Sequence, residues 1–177
     1  MPLPWRTSAP CWTRIVTFTR LSASVLLRCP TCAKVQRFLS VGANNPWTLR
    51  ILRPLRFSIT SAGDSAAQIL QITDRKNHSG SPWTVDFRQP ISTITHDYAI
   101  IARFQANMTD GEVMVVAGLG SGGTESASKF INSASYMKQL TSHAPRDRRA
   151  MNMEAVLETE VIGGRAGHPT IIAAEFW

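Results

Sequence analysis

The sequence predicts a fold between α/β and α+β, with a mixed sheet of about seven strands, antiparallel hairpins and one or two packed helices. Three observations support this prediction. Val113–Ala117 is an apolar run typical of a strand that is buried on both faces. The glycine-rich stretch Gly118–Gly123 follows it, and apolar side chains then recur at helical spacing as far as Leu140. Residues 113–140 thus have the strand, glycine loop and helix order of Rossmann-like folds.

Charge is distributed unevenly along the 177 residues. Nine of the 19 Lys and Arg residues precede Asp64 and no Asp or Glu does, whereas the rest of the chain has ten basic residues against all 12 acidic ones. The net charge of +7 therefore belongs to the first third of the chain. Nucleic-acid binding is accordingly not expected of the compact part. A basic, DNA-binding N-terminal segment stays open as an alternative function.

Residues 1–34 are basic and have no helical or strand periodicity, and residues 35–177 are predicted to form a single α/β domain. Two interpretations of residues 1–34 stay open, a disordered basic arm and a start-site or reading-frame artefact. Cys29 and Cys32 have CxxC spacing, but no second ligand pair accompanies them, so no metal site is predicted. No apolar run approaches the roughly 20 residues of a membrane span. We therefore expect a cytoplasmic protein that does not bind membranes.

Ordered structure is expected from Val35–Gly42 onward. Asn45 is a suitable helix cap, and Pro46 fits the first position of a short helix that ends before Pro54. The next three strands are joined by connections too short for crossovers, which predicts an antiparallel meander. These strands are Leu55–Thr60, Ala67–Thr73 and Trp83–Phe87.

A hairpin is predicted to lead into the glycine loop. Asp97–Phe104 has the composition of a strong strand. The pair Asp110 and Gly111 favours a tight turn with positive φ. This turn would join the strand to Val113–Ala117.

The helix after the glycine loop should begin at Thr124, which is a good N-cap residue. Asn132 and Ser133 are expected to divide this helix in two. Its apolar face is predicted to consist of Ala127, Phe130, Ile131, Ala134, Met137 and Leu140.

The C-terminal part is predicted to be a strand, a loop and a final strand. Ser142–Ala150 is an Arg-rich linker that we interpret as a solvated loop. Met153–Ile162 alternates, with the odd-numbered residues on one face. Gly163–Pro169 is predicted to be a Gly-rich hairpin loop, and Thr170–Trp177 the last strand of the sheet.

The glycine loop is the candidate ligand site, because backbone N–H groups at the start of a helix bind anions and polar groups. It is a poor phosphate clamp, since Glu125 places a carboxylate in the first helical turn and Thr124 stands where a P-loop has Lys. The acid that a nicotinamide fingerprint requires after the next strand is also missing. A turn that needs glycine only for close packing stays open as an alternative. The predicted ligand-binding residues are Gly118, Gly120, Ser121, Gly122, Gly123 and Thr124, with Asn44 and Asn45 opposite them.

Several segments of residues 41–177 resemble an uncharacterised bacterial α/β domain that lies at the C-terminus of winged-helix or helical regulator-like proteins. They are NNPWTLRILRPLRF, DYAIIARF, VMVVAGLGSGGTESASKF and the ending VIGG…HPTIIAAEFW. The most specific part of the resemblance is the pattern AGxGxxGTExAxxF. The resemblance implies a sensor or effector module and carries over no catalytic residue. Longer relatives have a further strand, loop and helix where this chain has residues 1–34, which implies a truncated or mis-started copy.

The leading hypothesis is a non-enzymatic, ligand-sensing or regulatory α/β domain, a fragment of a cytoplasmic regulator, with an unidentified small polar ligand. Any cofactor is unknown, and no residue is assigned a catalytic role. The alternative from another class is a small enzyme acting on a nucleotide or glycosidic bond at the glycine loop. Its candidate acid/base groups are Glu125, Asp97 and Glu158, and it requires two of them to converge there.

Overall fold

The structure is a computed structural model, and it describes residues 25–27, 36–40, 45–62, 69–77, 79–106, 111–145 and 152–177. The strands of these regions are β1 (Val25–Leu27), β2 (Gln36–Ser40), β3 (Phe57–Ser61), β4 (Ile69–Asp74), β5 (Trp83–Asp86), β6 (His96–Ala106), β7 (Gly111–Gly118), β8 (Met153–Ile162) and β9 (Arg165–Phe176). The α-helices are α1 (Pro46–Leu52), α2 (Ser121–Asn132) and α3 (Ala134–Ser142), and a short 3-10 turn spans Ile91–Thr93. The mixed α/β character predicted from the sequence is confirmed.

The strands form two sheets, so the prediction of one mixed sheet is wrong. The large sheet has six strands in the order β1-β2-β7-β6-β8-β9, and the small sheet has three in the order β3-β4-β5. The small sheet is the predicted antiparallel meander. Its strands pair only with one another among the described residues. Its apolar side chains belong to the same cluster as those of one large-sheet face, which shows that the small sheet packs over that face.

The large sheet is antiparallel except where β2 and β7 pair in parallel, with Ser40 opposite Val116. The strand β7 lies between β2 and β6, and Val113–Ala117 is fully covered, which confirms the predicted central strand. The hairpin of β6 and β7 is confirmed by its register, although the turn predicted at Asp110 lies outside the described residues.

The described residues are not wound as a Rossmann fold. After α2 the chain passes through α3 into β8, which runs parallel to β7 but is separated from it by β6, whereas a dinucleotide-binding unit returns to a parallel strand directly beside the first. The segment Val25–Leu27, within the predicted basic segment 1–34, pairs with β2. The proposed boundary at residue 34 stays a prediction.

Each face of the large sheet carries its own apolar core. On one face Ile100, Val115 and Val156 pack with the small sheet and with Leu52 of α1. On the other face Ile101, Val116 and Leu157 pack with α2 and α3. Because strand side chains alternate, even-numbered residues of β6 and β8 face the small sheet there, and odd-numbered residues face the helices. The molecule therefore has three layers: small sheet, large sheet and helices.

The break between α2 and α3 lies at Ser133, as predicted. Its backbone is extended, with φ −99° and ψ 116°, and its Oγ accepts a hydrogen bond from the Tyr136 N–H at 3.5 Å, so the residue caps α3. The predicted apolar positions of the helices are buried except Ala134, which is exposed. Ala134 lies in the first turn of the second helix, where the break has rotated the buried face.

The turn between β8 and β9 is tight, so the predicted loop Gly163–Pro169 is wrong. The strand β9 begins at Arg165, directly after Gly163 and Gly164, which have φ of 58° and 77°. Two successive residues with positive φ are typical of a type I′ turn, and glycine adopts that backbone without strain.

Replacing Gly164 with alanine is expected to destabilise the fold by about 1 to 2 kcal/mol, the usual cost of a left-handed residue with a Cβ. No atom lies within 4 Å of the added Cβ, so the cost is backbone strain alone. Urea unfolding would measure it. Gly163→Asn is the matched control and should cost less, because Asn tolerates this conformation; equal losses would contradict the assignment of the turn.

Candidate functional site

The carboxyl ends of β2 and β7 lie side by side at the same end of the large sheet, because these two strands are parallel neighbours. Each is followed by a helix, α1 after β2 and α2 after β7. The helix α1 places Leu52 in the core on the small-sheet side, whereas α2 places Phe130 in the core on the other side. The two helices therefore leave on opposite faces of the sheet. Open α/β sheets bind ligands in the crevice that forms where neighbouring strands are followed by helices on opposite faces.

The N-cap of the helix α2 lies four residues earlier than predicted. Its N-cap is Gly120 and its first residue is Ser121, so Thr124 is not the N-cap. The backbone N–H of Thr124 and its hydroxyl both donate to the Gly120 carbonyl, at 3.1 and 2.9 Å. Glycine has no side chain with which to cap the helix. The first N–H groups of the helix must therefore be satisfied by another part of the chain, by water or by a ligand.

Asp97 on β6 supplies this cap from the neighbouring strand. Its Oδ1 accepts hydrogen bonds from the N–H groups of Gly120, at 3.0 Å, and Tyr98, at 2.8 Å, and its Oδ2 accepts one from Gly123 at 2.7 Å. The residue is 3% exposed. A carboxyl group of the chain itself thus occupies the helix N-terminus where an anionic ligand would bind.

Burial raises the pKa of the Asp97 carboxyl, and the N–H groups of Gly123, Tyr98 and Gly120 act in the opposite direction. The hydrogen bonds hold the carboxyl in place whichever protonation state dominates, since at least one oxygen stays an acceptor. The Asp97 carboxyl group therefore occupies the position at this turn where an external anion would bind.

The glycines of the turn are required by close packing. A Cβ on Gly118 would lie 2.2 Å from the Thr124 nitrogen, one on Gly120 2.5 Å from Asp97 Oδ2, and one on Gly123 2.3 Å from the Tyr98 carbonyl oxygen. Real Cβ atoms do not approach other atoms so closely. Close packing therefore accounts for these three glycines. It was the alternative to ligand binding that the sequence left open.

The predicted ligand-binding residues fall into two groups. Ser121 is exposed, and Gly120, Thr124 and Asn45 are half-buried. Asn45 precedes α1, and its carbonyl accepts the Leu49 N–H at 3.2 Å. The glycines at positions 118, 122 and 123 are buried and shape the turn. Asn44 lies outside the described residues, as do Cys29, Cys32 and the basic positions 146–149.

The three acids named for the enzyme hypothesis do not converge on the turn. Asp97 faces the helices, whereas Glu158 lies opposite Tyr98 on the small-sheet face. Glu125 is on the surface of α2, where it pairs with Lys129 at 2.8 Å. The hydrogen bond from Lys129 lowers the pKa of Glu125, so this carboxyl is not a proton donor near neutral pH.

Sequence reasoning named Asp97 only as an acid/base candidate and missed its capping role. The signal for that role would have been a helix that begins at a glycine, together with a polar residue at the start of the preceding strand of the hairpin. Pairing of β6 with β7 brings the two together, and this pairing was predicted. The residue at which α2 begins was not predicted correctly, and the capping role depends on it.

Among the described residues, no three His, Cys, Asp or Glu side chains group closely enough to hold a metal ion. A helix with the length and apolar character needed to cross a membrane is also not found in the described part of the chain.

Comparison with family models, with curated proteins and with solved structures gives no match to this chain.

Proposed function

We propose that this chain is a non-enzymatic regulatory domain that binds a small, uncharged polar ligand in the crevice between the ends of β2 and β7. One observation carries the proposal: adjacent parallel strands are followed by helices on opposite faces of the sheet. This arrangement is where open α/β sheets bind their ligands. The resemblance of residues 41–177 to a regulator-associated domain favours a sensing role in a cytoplasmic regulator.

The chemistry of the turn favours an uncharged ligand. The N–H groups of Gly120 and Gly123 donate to Asp97, so they are not available to a phosphate or carboxylate. An incoming anion would also find the helix N-terminus already occupied by the Asp97 carboxyl group. The exposed Ser121 hydroxyl can both donate and accept, which suits an alcohol or amide group. Asn45 would contact the ligand from the α1 side, and the buried glycines would shape the site.

A thermal-shift screen tests this proposal with a panel of nucleosides, polyols and amides, and with inorganic phosphate and nucleotides as the anionic arm. We expect a neutral compound to raise the melting temperature, since a ligand at a hundred times its Kd stabilises the folded protein by about 2.7 kcal/mol. Phosphate is expected to have no effect.

Ser121→Trp should abolish the shift, because a large side chain at this exposed position fills the crevice. The matched control is Ser135→Trp on α3, which is also exposed and distant in sequence; it should retain the shift. A response to anions alone, or a shift that survives Ser121→Trp, would contradict the proposal.

A further inference from the structure

The small and large sheets are joined by a polar junction at one end of β3. On the large sheet, Glu154 of β8 and Glu175 of β9 are cross-strand partners. Arg56 Nη1 donates to Glu175 Oε2 at 2.7 Å and Lys76 Nζ donates to Glu175 Oε1 at 2.6 Å. The backbone N–H of Phe57 donates to Glu154 Oε1 at 3.2 Å. Every one of these contacts crosses from the small-sheet side to the large sheet.

The two acids of this junction are in different electrostatic situations. Burial acts to raise the pKa of Glu175, but the hydrogen bonds from Lys76 and Arg56 outweigh it and hold that pKa below its ordinary value. Glu154 is 0% exposed, and among the described residues its Oε2 has no hydrogen-bond partner. The Arg56 guanidinium is held by Asp74, at 2.8 and 2.7 Å, as well as by Glu175. Among the residues that the structure describes, Glu154 therefore has no ion-pair partner of its own.

A carboxyl group in this position is expected to be neutral when the sheets are packed, because an unpaired buried charge is costly. Burial raises the pKa of Glu154 from an ordinary 4.5 to about 7. The N–H groups of Phe57 and Arg56 act against this rise, the Glu175 charge adds to it, and the Arg56 charge opposes it. Within the described part of the chain, the junction also includes the charges of Asp74 and Lys76. The β6 residue opposite Glu154 is Ala102, which is uncharged.

We propose that the docking of the small sheet on the large sheet is proton-controlled at Glu154, closed while this carboxyl is neutral and loosened when it ionises. The side chain points to the face that the small sheet covers, so water reaches it when the small sheet lifts. Ionisation in the packed state leaves a buried charge whose Oε2 has no hydrogen-bond partner among the described residues. Lifting the sheet hydrates that charge, and ionisation thus favours the open form.

The direction of the pH dependence follows from linkage. A carboxyl whose pKa is higher in the closed form stabilises that form fully below the ordinary value of 4.5. This stabilisation is lost progressively as the pH rises to about 7, and it changes no further above that. The opening equilibrium should therefore increase roughly tenfold per pH unit within this window.

Amide hydrogen exchange between pH 5 and pH 8, expressed as protection factors, measures the opening strand by strand. In the unmodified protein we expect protection of β3, β4 and β5 to fall roughly tenfold per pH unit up to about pH 7 and then to level off. Protection of β6 and β7 should change less, because these strands stay in the large sheet. In Glu154→Gln, which keeps the shape and removes the titration, protection of the small sheet should not change across this range.

Two further variants separate the junction from general stability. Glu175→Gln removes a neighbouring negative charge, so the levelling-off should move to lower pH even where the variant is less stable overall. Glu160→Gln removes an exposed acid from the same strand and should behave as the unmodified protein. Three results would overturn the proposal. They are a fall in protection of equal size in both sheets, a pH dependence of protection in Glu154→Gln equal to that of the unmodified protein, and an unchanged levelling-off pH in Glu175→Gln.

Discussion

Replacing Gly123 with alanine is expected to destabilise the protein by about 3 kcal/mol, at the upper end of the cost of overpacking. The new Cβ would lie 2.3 Å from the Tyr98 carbonyl oxygen and 2.9 Å from its carbon, and both are backbone atoms of the central strand β6. Backbone in the middle of a sheet cannot move aside as a flexible side chain can. The melting temperature should fall by roughly 10 °C, measured by circular dichroism.

The matched control for this substitution is Gly122→Ala, one residue earlier in the same helical turn. Its Cβ would meet a Val161 methyl at 3.0 Å and Asp97 Oδ2 at 3.3 Å, both side-chain atoms. Alanine also gains helix propensity over glycine, by roughly 0.5 to 1 kcal/mol. We expect the two effects nearly to cancel. Equal losses for Gly122→Ala and Gly123→Ala would show that the turn is not packed against β6 as described.

The second large effect is expected for Asp97→Ala, which removes the cap of α2. The N–H groups of Gly120, Gly123 and Tyr98 lose their acceptor together, and the hydrogen bond from Gly123 is buried. Donors left unpaired in a buried site cost about 1 to 3 kcal/mol each, so the loss should be roughly 3 kcal/mol. Chemical unfolding monitored by circular dichroism would measure it.

Asp97→Asn separates the loss of the cap from the loss of side-chain volume. The amide keeps one oxygen acceptor but turns an NH₂ group toward the remaining donors, so its cost should lie between those of the unmodified protein and Asp97→Ala. Glu160→Gln, at an exposed position, is the neutral control. If Asp97→Ala is no less stable than Asp97→Asn, the carboxyl is not the cap of α2.

Much of the fold could be predicted from local pattern. The all-apolar run of β7, the alternation in the meander and the helical spacing after residue 124 each predicted the right element, because period 2 and period 3.6 are properties of the backbone itself. The division of the helix at Ser133 also followed from residue type, since serine is a good cap. Boundaries were less accurate at α2 and at β9, where the deciding contact lies outside the element.

The second face of β8 shows the limit of such patterns. Only its odd-numbered residues were expected to share one apolar face, yet Glu154 and Val156 are fully buried as well. The small sheet covers this face, and its docking depends on contacts between residues about a hundred positions apart, such as Phe57 with Glu154. A glutamate in an alternating strand pattern predicts a solvated position, so its burial was not foreseeable.

The sequence by itself determined the element types, the central hairpin, and the glycine turn as the point where strand passes into helix. These depend on neighbours within a few residues. The tertiary structure alone decided that the strands separate into two sheets, that α1 and α2 leave β2 and β7 on opposite faces, and that Asp97 fills the helix N-terminus. The physical reason is that pairing partners and shared cores join residues far apart in the chain, and one-dimensional periodicity contains no information about which partner is chosen.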